Sequence, residues 1–191
     1  MASIIGVNEI QHTNGTSAAT VTTGGALELA VGGVISEYDQ WRLTSDTSFS
    51  NNTVIGTASV SRVDSDGFEK IGTGVSLDTS TGYWSFPSTG FYIIRWHFIS
   101  MRTNGNASDM GIQLRHSTDA GSSWSGAVSC RTSGAQNHNG FGCGEFMSKI
   151  TDTTNHLVQF RFQTGASSGT KLIGGSSANF TYFTFQKIAH A

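Results

Sequence analysis

Residues Gly82 to Tyr92 read Gly-Tyr-Trp-Ser-Phe-Pro-Ser-Thr-Gly-Phe-Tyr and hold the only proline among 191 residues. Proline sets one backbone angle, and glycine enters conformations that other residues avoid, so Pro87 and Gly90 predict a tight turn. Before it, Tyr83, Trp84 and Phe86 end an aromatic strand. After it, Phe91 to Met101 alternates: Tyr92, Ile94, Trp96 and Phe98 share one face, Arg95 and His97 the other. A period of two predicts a strand with one buried face. Such a face needs a second apolar layer over it, which a second sheet supplies.

Further strands are expected over 38–43, 53–62, 67–71, 82–86, 91–101, 110–116, 127–131, 145–150, 156–163 and 178–188. No window carries helical periodicity beyond a turn or two. Only 13% of residues are charged, and 24 are glycine. About ten short strands with Gly, Asn, Asp and Ser turns predict an all-β protein, a jelly-roll β-sandwich. No tandem repeat is visible.

Residues 1–36 differ from the rest. They contain no Lys, Arg, Trp, Phe or Tyr, and Glu9 and Glu28 are their only formal charges. Such a segment cannot bury enough apolar area to fold alone. Yet Ile4, Ile5, Val7, Ile10, Leu27, Leu29 and Val31 are too apolar for a solvated tail. The reading is an anchoring arm over 1–36 that contacts another chain through these residues, and a head domain over 37–191.

Several motifs suggest chemistry and are better read as turns. Ser117-Thr118-Asp119-Ala120-Gly121-Ser122-Ser123-Trp124 matches the Asp-box of sialidases, itself a hairpin turn. It predicts Asp119 accepting backbone N–H bonds, Gly121 at positive φ and Trp124 packed beneath. Asp64-Ser65-Asp66-Gly67 lacks the later acid of a calcium loop. Gly140-Phe141-Gly142-Cys143-Gly144 and the neighbouring His138 read as a flexible loop, without the strand–helix context of a phosphate cradle. Cys130 and Cys143 read as two free thiols or as a loop-closing disulfide; the spacing does not suit zinc. Thus neither catalytic nor metal-binding residues are assigned, no cofactor is expected, and the chain is not read as an enzyme.

A net charge of −2 with scattered Lys and Arg argues against nucleic acid as a partner. No run is long and apolar enough to span a membrane, and no signal peptide is evident. Assembly in a host cytoplasm is the expectation.

The Pro87 turn with its Gly90-Phe91-Tyr92 exit resembles the signature of complement-q heads and the wider tumour-necrosis-factor-like jelly rolls. Asn179 to Phe185 resembles the closing strand of those families, and Leu157 to Phe162 the strand before it. The turn Thr153-Thr154-Asn155-His156 departs from their usual Gly-Asp. The resemblance covers 38–188. It implies a homotrimer with an aromatic centre. Tyr83, Trp84, Phe86, Pro87, Gly90, Tyr92, Trp96, Phe98, Phe160, Phe162, Phe180, Phe183 and Phe185 are its core and trimer signature. Four Trp, four Tyr and twelve Phe exceed what a thin sandwich is expected to bury, and a subunit interface would take the surplus. The arm, with Ile10 to Thr20 reading Ile-x-x-x-x-Gly-Thr-x-Ala-x-Thr, looks like that of small structural proteins of tailed bacteriophages. The implied function is a capsid decoration (cement) protein on the virion surface, with the major capsid protein or another virion protein as partner. The alternative is a tail-fibre tip that binds host-surface carbohydrate.

Overall fold

The structure, a computed structural model, describes residues 9–11, 17–21, 27–29, 35–64, 67–105, 109–166 and 169–190. The chain divides into two units, Met1–Ser36 and Glu37–Ala191. In the first, β1 (Glu9–Gln11), β2 (Ser17–Val21) and β3 (Leu27–Leu29) form an antiparallel three-stranded sheet in that order.

The second unit is all-β, a jelly-roll sandwich of two antiparallel sheets. Its strands are β4 (Tyr38–Leu43), β5 (Thr47–Ser48), β6 (Val60–Arg62), β7 (Ser76–Asp78), β8 (Tyr83–Ser85), β9 (Gly90–Arg102), β10 (Met110–Ser117), β11 (Ser125–Thr132), β12 (Asn139–Ile150), β13 (Leu157–Thr164), β14 (Thr170–Leu172) and β15 (Tyr182–Ala189). One sheet runs β11-β10-β13-β8-β7. The other has seven strands, six in the order β5-β14-β9-β15-β4-β6, with β12 paired to β9 from Gly90 to Met101.

The Pro87 turn leads into β9, the strand on which the larger sheet is built. Gly90 has φ 151°, and a Cβ there would meet the Ala189 carbonyl oxygen at 2.5 Å. The turn is fastened to β15 by a buried lysine. Lys187 Nζ donates to Ser88 Oγ at 3.0 Å, Ser88 Oγ lies 3.0 Å from the Tyr92 hydroxyl, and that hydroxyl donates to the Ser88 carbonyl at 3.1 Å.

Between the sheets lies an aromatic core. Phe160 of β13 is its hub: its ring centroid is 4.4 Å from Phe183, 5.2 Å from Trp84 and 5.6 Å from Trp96. Offset and edge-on ring pairs of this kind add to the burial energy. Among the buried polar residues is a carboxylate, Asp39 of β4, 1% exposed. It accepts from Arg62 Nε at 3.0 Å, Trp41 Nε1 at 3.0 Å and the Val75 backbone N–H at 2.9 Å. A buried carboxylate is tolerated when it is paired and hydrogen-bonded in this way.

Four expectations need correction. Gly140 to Gly144 is not a loop but part of β12. Its glycines face inward against β9, where a Cβ at Gly142 would overlap the Phe98 ring and one at Gly144 the Trp96 ring. Size is exchanged across the pair, since Ile150 in turn faces Gly90. The stretch 53–62 is not one strand: a 3-10 turn, Ile55–Thr57, precedes β6. Gly56 forces this, because it packs where a Cβ would meet Gly82 backbone at 2.7 Å. Among the described residues, 67–71 make one bridge, Ile71 to Tyr38, and no strand. The last strand begins at Tyr182, which leaves Phe180 outside it and 41% exposed.

Candidate assembly interface

Alternation along β9 decides what the outer face of the seven-stranded sheet carries. Tyr92, Ile94, Trp96 and Phe98 are buried, so Phe91, Ile93, Arg95, His97, Ile99 and Met101 point outward. The register of β12 sets Phe141 beside Ile99, Cys143 beside His97, Glu145 beside Arg95, Met147 beside Ile93 and Lys149 beside Phe91. Phe141 is 69% exposed and Met147 59%. Large apolar side chains thus occupy both ends of the face.

Its middle is polar. Arg95 Nε donates to Glu145 Oε2 at 2.5 Å, and Arg95 Nη1 to Gln186 Oε1 at 3.2 Å. The His97 ring stacks on Tyr182, centroids 4.8 Å apart at 10°. Burial raises the Tyr182 phenol above its usual range, with Tyr38 and Cys143 adding to the effect. Phe141, Phe180, Tyr182, His97, Ile99 and Cys143 line a groove of about 380 Å³ at one end.

The five-stranded sheet presents the opposite character. Inward it contributes Met110, Ile112 and Leu114 of β10 with Val158, Phe160 and Phe162 of β13, all buried. Outward the same strands show Gln113, Arg115 and Arg161, half-buried, over Gln159 and Gln163, which are buried on the same side. A sandwich with one polar outer face and one bearing exposed Phe and Met has one face suited to water and one suited to a partner.

The Asp-box stretch joins β10 to β11 as a tight turn. Asp119 Oδ1 accepts from the Ser123 N–H at 2.9 Å and from Ser117 Oγ at 2.7 Å, and Oδ2 accepts from Ser123 Oγ at 2.5 Å. Gly121 has φ 86°, and Trp124 packs on Tyr83 with centroids 4.7 Å apart. These bonds, the Ser123 hydroxyl first, lower the Asp119 pKa from 3.8 to about 2. A carboxylate whose folded pKa is depressed stabilises the fold above its unfolded pKa and loses that effect as pH falls. NMR titration is expected to show Asp119 protonating near pH 2, with the turn amides unchanged from pH 7 to about 4 and disturbed only below that. A midpoint near 4 would mean that the carboxylate is not held.

The expected core signature lies mostly in the core. Trp84, Tyr92, Trp96, Phe98, Phe160, Phe162, Phe183 and Phe185 are at most 1% exposed, and Phe86 is buried. Tyr83 is half-buried under Trp124, Pro87 and Gly90 make the turn, and Phe180 alone reaches the outer face. The sandwich thus takes in most of the aromatic residues, making room through Gly142 and Gly144, and leaves Phe68, Phe141 and Phe180 exposed. The interface candidates Phe141, Met147, Ile93 and Ile99 are not among the contact residues expected from the sequence. Their signal was present, as the residues between the inward-facing ones. Ile4, Ile5, Val7 and Val31 lie outside the described residues. The backbones of Ile10, Leu27 and Leu29 lie in β1 and β3. Cys130 and Cys143 are free thiols, one half-buried and one exposed. Among the described residues, no helix is long and apolar enough to cross a membrane.

No family model matches this chain, and no curated protein matches it. Solved structures do. The Eiger tumour necrosis factor of S. frugiperda is similar at 11% identity and TM-score 0.59, over 81% of this chain and 93% of that one. Murine APRIL at pH 5.0 is similar at 11% identity and TM-score 0.56, over 79% and 98%. The globular domain of zebrafish complement 1qA is similar at 12% identity and TM-score 0.52, over 82% and 99%. At such identities the likeness concerns the fold: a jelly roll of the tumour-necrosis-factor and complement-q type.

Proposed function

We propose that this chain is a non-enzymatic structural protein that works as a homotrimer and is anchored to a larger particle by residues 1–36. One observation carries the reading: the outer face of the seven-stranded sheet bears Phe141, Met147, Ile93 and Ile99, while the other sheet turns polar side chains outward. Three copies of that face, closed around a threefold axis, bury their apolar ends. The particle is the head of a tailed bacterial virus, which the trimer decorates as a cement protein, with the major capsid protein as partner. Support for this step comes from the resemblance of Ile10 to Thr20 to the arms of such proteins. The polar outer face of the five-stranded sheet supports a second reading, a tail-fibre tip that binds host-surface carbohydrate.

The test combines attachment with copy number. Full-length protein is expected to co-sediment with virions stripped of it, whereas residues 37–191 alone stay in the supernatant. Attachment is expected to survive high salt, because Glu9 and Glu28 are the only formal charges in residues 1–36. Band stoichiometry of intact particles separates the readings: on the order of hundreds of copies for a shell of decoration trimers, a handful for a fibre tip, by the symmetry of each assembly. Equal binding by full-length and truncated chains would move the contact to the head and overturn the anchoring role.

A further inference from the structure

The outer face of the five-stranded sheet carries two arginines on adjacent strands. Leu114 of β10 and Phe160 and Phe162 of β13 are fully buried, so Arg115 and Arg161 project to the other side. The register pairs Arg115 with Gln159 and Gln113 with Arg161, which sets the arginines on one diagonal. Diagonal neighbours in a sheet stand about 7–8 Å apart.

Neither arginine forms an ion pair among the described residues, although four other basic side chains do: Arg62, Arg95, Arg131 and Lys171. Arg115 Nη2 donates to the Trp124 carbonyl at 2.6 Å, and Arg161 Nε donates to Gln159 Oε1 at 3.1 Å. These bonds are to neutral oxygens and hold the guanidinium groups in place without cancelling their charge. Burial, and then the charge of Arg161, lowers the Arg115 pKa. Two cations kept side by side without an acid cost energy unless an anion joins them.

The surroundings narrow the class of anion. Gln113 lies between the arginines, half-buried, and presents an amide, which donates and accepts at once, as sugar hydroxyls require, while Gln159 is buried beneath and holds Arg161. Tyr83 follows the Val158–Trp84 pair on β8 and lies near enough to Arg115 to act on its charge, and Trp124 packs against it, tilted by 54° with centroids 4.7 Å apart. An aromatic wall beside an amide and paired arginines suits a chain of sugar rings that carries carboxylate or sulfate groups. We propose, in extension of the second, carbohydrate-binding reading above, that this face is a binding site for an acidic oligosaccharide, with Arg115 and Arg161 holding its anionic groups and Gln113 a hydroxyl. The site stays open whether or not the opposite sheet is covered by neighbouring subunits.

The experiment titrates the full-length protein with three hexasaccharides, one galacturonate, one sulfated and one neutral galactose, and with a twelve-nucleotide single-stranded DNA. NMR shifts and calorimetry are the readouts. An acidic hexasaccharide is expected to bind, to shift Gln113, Arg115, Gln159 and Arg161, and to weaken as salt is raised. A hydrogen-bonded charge contact is worth about a tenfold change in Kd or more, so Arg161→Gln should weaken binding about tenfold and Arg115→Gln/Arg161→Gln about 100-fold. If the double variant fails to fold, Arg161→Gln alone decides, since Arg161 does not hold the Asp-box turn. Melting of each variant checks the fold. No binding of either acidic sugar at millimolar concentration would overturn the proposal. So would unchanged affinity in a folded Arg161→Gln variant, preference for the neutral hexasaccharide, or equal affinity for the DNA.

Discussion

Gly144→Val is expected to leave the chain insoluble, and Gly144→Ala to lower its stability by about 1–3 kcal/mol or somewhat more, the usual cost of overpacking a filled core. The Cβ added at Gly144 would overlap three atoms of the Trp96 indole. Trp96 cannot retreat: it is fully buried and stands edge-on to Phe160 at 5.6 Å. The converse change, Trp96→Ala, opens a cavity and should cost about 3–5 kcal/mol. Together the two sites should not add. In a Trp96→Leu background, Gly144→Ala should become nearly neutral, because the atoms it strikes are gone. Urea unfolding of the two single variants and the double variant, compared at constant m, measures this coupling. Additive losses would show that the two residues do not share one space, and the register of β12 on β9 would be wrong.

The second large effect is on association. Phe141→Glu/Met147→Glu should convert the protein to a monomer at micromolar concentration while the melting temperature of the head changes little. Both side chains are exposed in the single chain, and surface substitutions usually stay within about 0.5 kcal/mol. In the assembly each would bury a large apolar side chain worth about 1.5–3 kcal/mol, so each subunit loses about 3–6 kcal/mol, more than 100-fold in affinity. The introduced carboxylates add the cost of an unpaired buried charge. A double variant that stayed trimeric would move the interface to another face.

The parts legible in the sequence were those where polar and apolar residues alternate without interruption. Phe91 to Met101 showed its two faces directly, and the Pro87–Gly90 turn and the Asp-box turn followed from the backbone demands of proline, glycine and a short carboxylate side chain. Gly140 to Gly144 reads as a loop because a count of apolar residues sees nothing in a glycine. The strand is there because small residues were needed opposite Phe98 and Trp96, a demand that comes from a partner 40 to 50 positions away. Strands as short as Thr47–Ser48 and Thr170–Leu172 exist only through pairing with β14 and β9 and leave no period to read. Of the candidate interface, the outward positions of β9 were implied by its inward ones. Phe141 and Met147 became visible only once β12 was seen to run as one strand from Asn139. The paired arginines were hidden for the same reason: Arg115 and Arg161 lie 46 positions apart, and only the sheet brings them together.

Sedimentation equilibrium of the full-length protein, run beside the Phe141→Glu/Met147→Glu variant at micromolar concentration, tests the homotrimer most directly. The expected result is a single species of three times the 20.3 kDa chain mass for the natural sequence and a folded monomer for the variant. A natural chain that sediments as a monomer across that range would contradict the threefold assembly and the decoration role built on it.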